Sequence, residues 1–380
     1  MDMKAHMYGM SGFARHAGRA RHTLWPLASV TAVLAMVLLA FAPAQPAAAE
    51  ARLECSEHTL SVTLTPGATD TYNVVGTLCS RGPAAGKTIQ LLLHGATYAR
   101  YYWDLPYQTE HYSYVRSAAK RGYATFNLDR IGNGASDRPA GNLVTFNVNG
   151  FVVHQVVQAL RAGQIGSQSF AKVIVVGHSM GSFTALNYAG NFPGEADGII
   201  LTGFVHDMNW PYVQAALPQV MYPATFDPKF AGQFPNFDYI TTVPGTRGMA
   251  FYYLPNTDPG VLAVDEDLKQ TVTVGELDGL LIVYDPISFQ IRGPVQVVVG
   301  QYDSLFCGNL VNCSDKAAVQ TYEEGWFGAS ACVETAVIGD SGHDLNLQLN
   351  ANAAYSKMLS WADRNVGRTA GPAPQPCGTP

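Results

Sequence analysis

The stretch "VIVVGHSMGSF", residues 173–183, ends a branched apolar run in two glycines that bracket a lone serine. A buried strand that turns into a helix within a residue or two forces the turning residue into strained backbone angles. Gly177 and Gly181 remove the side chains that would collide there. Ser179 is then expected at the carboxyl end of a sheet. The helix that follows, "MGSFTALNYA", directs its first amides and the positive end of its dipole at the same place.

The pattern on either side extends this reading. Short β-branched runs alternate with helical ones: "TIQLLLHGA", "YSYVRSAAKRGY", "ATFNLDR", "GFVVHQVVQALRAG", "KVIVVGHS", "SFTALNYAGNFP", "ADGIILTGF". Such alternation predicts an α/β fold with a predominantly parallel central sheet and helices on both faces. The near-continuous apolar content of the strands fits burial on both sides. "HTLSVTLTPGATDTYNVVGTLC" reads as a hairpin of edge strands ahead of that core. After the sixth strand the rhythm breaks, and residues 206–288 are rich in Pro, Phe, Tyr and Met without clear periodicity. They read as a cap-like insertion between the core halves, 50–205 and 289–366. The strand pattern resumes at "GPVQVVVGQYD" and "VETAVIGDSGHD", and residues 367–380 read as a flexible tail.

Residues 1–49 read as a secretory signal peptide. Arg15, Arg19 and Arg21 precede the apolar stretch "LWPLASVTAVLAMVLLAFA", and small residues mark a cleavage site near Ala49. A membrane anchor is the competing reading, but Pro26 and the Pro/Ala-rich exit shorten the apolar core below a comfortable span, so no stable span is expected after cleavage. All 6 cysteines lie beyond this segment, as a disulfide-permissive compartment allows. Cys55 and Cys79 flank a strand-like segment and are expected to pair; the connectivity of Cys307, Cys313, Cys332 and Cys377 is open. The net charge of −6 argues against nucleic acid as a partner. No Cys-x-x-Cys or His-x-x-x-His spacing suggests a metal site, and no cofactor is implied.

A serine hydroxyl becomes a nucleophile when a base takes its proton and an acceptor orients that base. Asp303 follows the strand "PVQVVVG", and His343 lies in a Gly-flanked loop after "ETAVIGD". Loops after parallel strands emerge on the edge that carries Ser179, and the chain order Ser, Asp, His belongs to this turn type. Asp207, in "GFVHDMN", is the rival acid. Asp340 and Asp344 adjoin the histidine too closely to hold its ring, and Asp129 reads as a loop organiser. His94 and His178 read as packed turn residues, while His154 and His206 lack the late post-strand position. Ser341 in "GDSGH" lacks the second glycine and the upstream histidine that a protease of the chymotrypsin type would need.

Together these motifs resemble the α/β-hydrolase fold family, from "LLLHGA" to "GHDLNLQ". The resemblance implies an oxyanion hole built from the backbone N–H of Ala96, in "LLLHGAT", and of Met180. "FNLDRIGNGASD" looks like the family's Asp-x-x-Gly-x-Gly-x-Ser loop, and the insertion stands where members carry a cap. Few charges interrupt the aromatic and Met side chains of that insertion, so Trp210, Phe251 and Tyr252 are expected to line an apolar substrate pocket with Tyr98 and Trp103. The resulting expectation is a secreted serine hydrolase acting on a small apolar ester. Perhydrolase-like or carbon–carbon bond hydrolase chemistry with the same triad is the alternative, followed by a non-catalytic binding module. Haloalkane dehalogenases and epoxide hydrolases use an aspartate nucleophile, which Ser179 opposes.

Overall fold

A computed structural model describes residues 51–374. The expected signal segment and Cys377 lie outside the described residues. The described residues open with two long strands, β1 (Leu53–Thr63) and β2 (Thr71–Arg81), joined as an antiparallel hairpin with Cys55 directly opposite Cys79. These two cysteines form a disulfide, as expected. There follow β3 (Ile89–Leu93), α1 (Tyr114–Arg121), β4 (Ala124–Asp129), α2 (Phe146–Ala162), β5 (Val173–His178), α3 (Met180–Asn191) and β6 (Gly198–Thr202).

Between β6 and the next core strand lie α4 (Trp210–Val220), β7 (Met221–Pro223), β8 (Tyr239–Thr242), α5 (Arg247–Phe251), α6 (Pro259–Leu268), β9 (Val272–Thr273) and α7 (Val274–Asp278). The short strands make their own antiparallel sheet in the order β7-β8-β9. The core resumes with β10 (Gly293–Gly300), α8 (Lys316–Glu324), β11 (Ala331–Ile338) and α9 (Ala351–Asn365).

Among the described residues the central sheet has eight strands in the order β1-β2-β4-β3-β5-β6-β10-β11, parallel from β4 to β11. Alternate residues of one strand serve opposite layers. Val173 and Val175 of β5 join the cluster that holds Val152, Val156 and Leu186 of α2 and α3, whereas Ile174 and Val176 join the cluster of Met358 and Trp361 of α9. Burial on both faces explains why these strands show no polar alternation. Each such side chain contributes about 1.5–3 kcal/mol.

Chain direction reverses its lateral progress between β3 and β5, which are neighbours with Leu93 opposite Gly177. The carboxyl ends of strands at such a switch point form the natural ligand crevice of an open α/β sheet. Residues 94–96 therefore leave the sheet beside residues 178–180.

Candidate active site

Ser179 occupies the single residue between β5 and α3 with φ 52° and ψ −118°, a left-handed conformation for a residue with a side chain. Its amide is held by the Thr202 carbonyl at 2.8 Å. A side chain at Gly177 would run into the Gly181 backbone, and one at Gly181 into the Leu93 carbonyl, so the strand–turn–helix closes only with glycine at both positions. Ser179 is 9% exposed.

His343 and Asp303 come together from the loops after β11 and β10. The imidazole Nδ1–H donates to Asp303 Oδ2 at 2.8 Å, which leaves Nε2 as the nitrogen for proton transfer. Asp303 Oδ1 accepts from the amides of Leu305 and Phe306, at 3.0 and 3.3 Å, and the carboxylate is wholly buried. Burial by itself would lower the His343 pKa. The charge and hydrogen bond of Asp303, with the charge of Asp344, outweigh it and raise the pKa above its ordinary value. Ser179 makes no hydrogen bond to His343 in this structure; bonds of this kind are often long until substrate binds.

Asp207 is also buried, but none of its described hydrogen bonds goes to a histidine. It accepts from the Tyr284 hydroxyl, Asn309 Nδ2 and the Leu310 amide, thereby tethering the loop closed by a Cys307–Cys313 disulfide. Leu305 and Phe306 immediately precede that ring. Asp129 accepts from the amides of Arg100 and Ala135 and organises the turn after β4.

Ser179, Met180 and Ala96 line one shared cavity. Phe183, Leu305 and Phe306 wall it from the core, and Met208, Tyr212, Leu217, Met221, Phe251 and Leu277 from the chain after β6; among the described residues none that lines it is charged. The rings of Phe306 and Phe251 lie 5.6 and 6.0 Å from the His343 ring, so the imidazole flanks this cavity. Among the described residues no carbonyl or side chain accepts from the amide of Ala96 or Met180. A methyl group built on Gly95 would stand 3.1 Å from Ser179 Cβ, a measure of how closely the loop after β3 approaches the serine.

Of the five pocket residues expected from the sequence, Phe251 alone lines the cavity. Trp103 is fully buried against Tyr102 and Tyr114 on the other face of the sheet. Trp210 turns to donate its indole N–H to the Tyr284 hydroxyl. Tyr98 and Tyr252 point their hydroxyls into a buried polar cluster instead. Aromatic character does not separate a cavity wall from a buried polar anchor, because a tyrosine serves as either.

That cluster had no signal in the sequence. Asp265 receives Arg247 in a forked pair, Nε to Oδ2 at 2.8 Å and Nη2 to Oδ1 at 2.9 Å, together with the hydroxyls of Tyr98, Tyr101 and Tyr252. Tyr98 also bonds Asp344, whose other oxygen lies 3.1 Å from His178 Nε2. The Thr202 hydroxyl donates to the Gly177 carbonyl, so its oxygen accepts from His178 Nδ1. Burial, and then the charges of His343 and His94, push the His178 pKa well below its usual value. A neutral ring that donates from Nδ1 accepts at Nε2, so the contact with Asp344 is a hydrogen bond while that carboxyl holds its proton. Burial pushes that carboxyl up to about 7, against the pull of His343. His178, His343 and Asp344 bring three ligand-type atoms within 4.8 Å of one another, but these groups are engaged with one another, Thr202, Tyr98 and Asp303.

A comparison with protein families matches residues 90–355 to the alpha/beta hydrolase family. The chain belongs to that family. Among solved structures, a soluble variant of monoglyceride lipase from Saccharomyces cerevisiae superposes with a TM-score of 0.53 at 17% identity, covering 81% of this chain and 96% of that one. E-2-(acetamidomethylene)succinate hydrolase gives 0.51 at 13%, covering 81% and 100%. A probable hydrolytic enzyme from Pseudomonas aeruginosa PAO1 gives 0.50 at 16%, covering 80% and 94%. At these identities the likeness is one of fold. No curated protein matches by sequence.

Proposed function

We propose that this alpha/beta hydrolase is a secreted serine esterase that cleaves carboxylic esters of apolar acids. The observation that carries the reading is the strained Ser179 at the floor of an uncharged cavity, flanked by the buried His343–Asp303 pair. His343 Nε2 takes the hydroxyl proton as Ser179 Oγ attacks the ester carbonyl, and Asp303 stabilises the imidazolium. The amides of Ala96 and Met180 receive the oxyanion, each worth about 3 kcal/mol in comparable sites. Collapse expels the alcohol with the proton from His343, and water then releases the acid by the same steps.

Secretion is supported by the amino-terminal sequence and by two disulfides. No described helix is long and apolar enough to cross a membrane.

The test is turnover of p-nitrophenyl esters of graded chain length alongside labelling by a fluorophosphonate. The mature protein should hydrolyse the esters and be labelled at Ser179, and Ser179→Ala should abolish both. Labelling without ester turnover would redirect the assignment to other chemistry on the same serine.

A further inference from the structure

The loop after β3 is gripped from behind by a side chain whose charge partner lies far along the chain. Arg130, in the turn after β4, is 1% exposed; its Nε donates to the His94 carbonyl at 2.8 Å and its Nη2 to the Gly95 carbonyl at 3.4 Å. Its Nη1 meets Glu276 Oε1, a fully buried carboxylate contributed by α7. The backbone amide of Arg130 donates to His94 Nε2, which fixes Nδ1 as the protonated nitrogen, and that N–H donates to the Gly95 carbonyl at 2.9 Å. Glu276 is itself set by a capping box with Thr273, whose hydroxyl also reaches the Val144 carbonyl.

Gly95 C=O and Ala96 N–H are the two ends of one peptide unit. The unit is planar, so holding the oxygen fixes the direction of the N–H. Two donors, one of them charged, also draw electron density toward the oxygen and strengthen donation from the opposite end. On the far side the Thr97 amide is bound by the Thr271 carbonyl at 3.1 Å, and Thr97 has φ 60°.

We propose that Glu276, acting through Arg130, is a positioning residue for the Ala96 amide, so that the segment between β6 and β10 completes the oxyanion site as well as walling the cavity. The inference rests on the esterase reading. Neither side chain touches substrate; both act through the peptide they hold.

The experiment compares wild type, Arg130→Lys, and the double variant Arg130→Met with Glu276→Leu. The double variant removes the buried pair together and avoids leaving one charge unpaired. Three quantities are read: kcat and KM on one p-nitrophenyl ester, and Ki for a trifluoromethyl ketone of the same acyl group, which mimics the tetrahedral oxyanion. Circular dichroism and melting confirm folding. The expected result is a loss of about 10- to 100-fold in kcat with an equal loss in inhibitor affinity and KM little changed, in both variants. A merely structural role would not tie kcat to the oxyanion mimic while sparing KM. Folded variants that keep Ki near the wild-type value, whether or not kcat falls, overturn the proposal. Failure of the esterase reading shows differently, as wild type that neither turns over esters nor labels at Ser179, and it removes this inference with it.

Discussion

One proton shared between two buried side chains stands directly behind the proposed nucleophile. His178 precedes Ser179 and Asp344 follows His343, so the pair His178–Asp344 runs alongside the pair His343–Asp303, with the two histidine rings 4.9 Å apart. In the proposed mechanism His343 acts as a base only when unprotonated. With its pKa raised above the ordinary 6.5, activity is present at higher pH and is lost as pH falls through that raised value. The acidic limb of kcat/KM should therefore lie above 6.5. Asp344 contributes to the rise, and the other groups facing it are Asp303, which also raises it, and His178, which is neutral. Asp344→Asn should consequently move the acidic limb to lower pH. A pH series of kcat/KM on the variant reads the shift directly, and an unmoved limb would mean that Asp344 stays neutral throughout.

At the scale of elements, two loops at the same sheet edge each carry a buried aspartate, and the structure gives them different work. The loop after β10 presents Asp303 to His343; the chain after β6 presents Asp207 to the disulfide-closed loop. Asp303→Asn should lower kcat by about 10⁴-fold, because the amide cannot support the imidazolium or fix its tautomer. Asp207→Asn should instead destabilise the fold by about 1–3 kcal/mol, through an unsatisfied buried contact, with kcat reduced far less. Steady-state kinetics and urea unfolding on the two variants separate the roles. Both carboxylates sit at comparable post-strand positions, which is why the sequence alone left them as rivals. Ser179 and His343 were legible because each rides on a local pattern, an apolar strand ending in glycine. Arg130–Glu276 and His178–Asp344 join positions 146 and 166 residues apart, and pairing at that range leaves no periodicity to read. The small sheet after β6 was illegible for a related reason: its strands are two to four residues long, too short for alternation to show.

The whole molecule divides unevenly across its central sheet. Every loop that builds the site leaves the carboxyl edge of the parallel strands, while β1 and β2 add an antiparallel margin three strands and more from the serine turn. The two described disulfides fall on opposite sides of this division. Cys55–Cys79 spans 24 residues and staples the margin, and Cys307–Cys313 spans 6 and closes a ring directly after Leu305 and Phe306, whose amides hold Asp303. Constraint of the unfolded chain grows with the logarithm of ring size, which puts the longer bridge at about 3 kcal/mol and the shorter one somewhat lower. Their catalytic weights should run the other way. Replacing Cys55 and Cys79 with serine should lower the guanidinium midpoint and leave kcat unchanged, since β1 contributes nothing to the cavity. Replacing Cys307 and Cys313 with serine should lower the midpoint less and kcat more, because a loosened loop no longer fixes the Leu305 and Phe306 amides on the Asp303 carboxylate. Denaturation midpoints and kcat on the two double variants decide the matter. Equal catalytic loss in both would mean that the margin and the site communicate through the sheet, and that the division drawn from strand order does not hold in function.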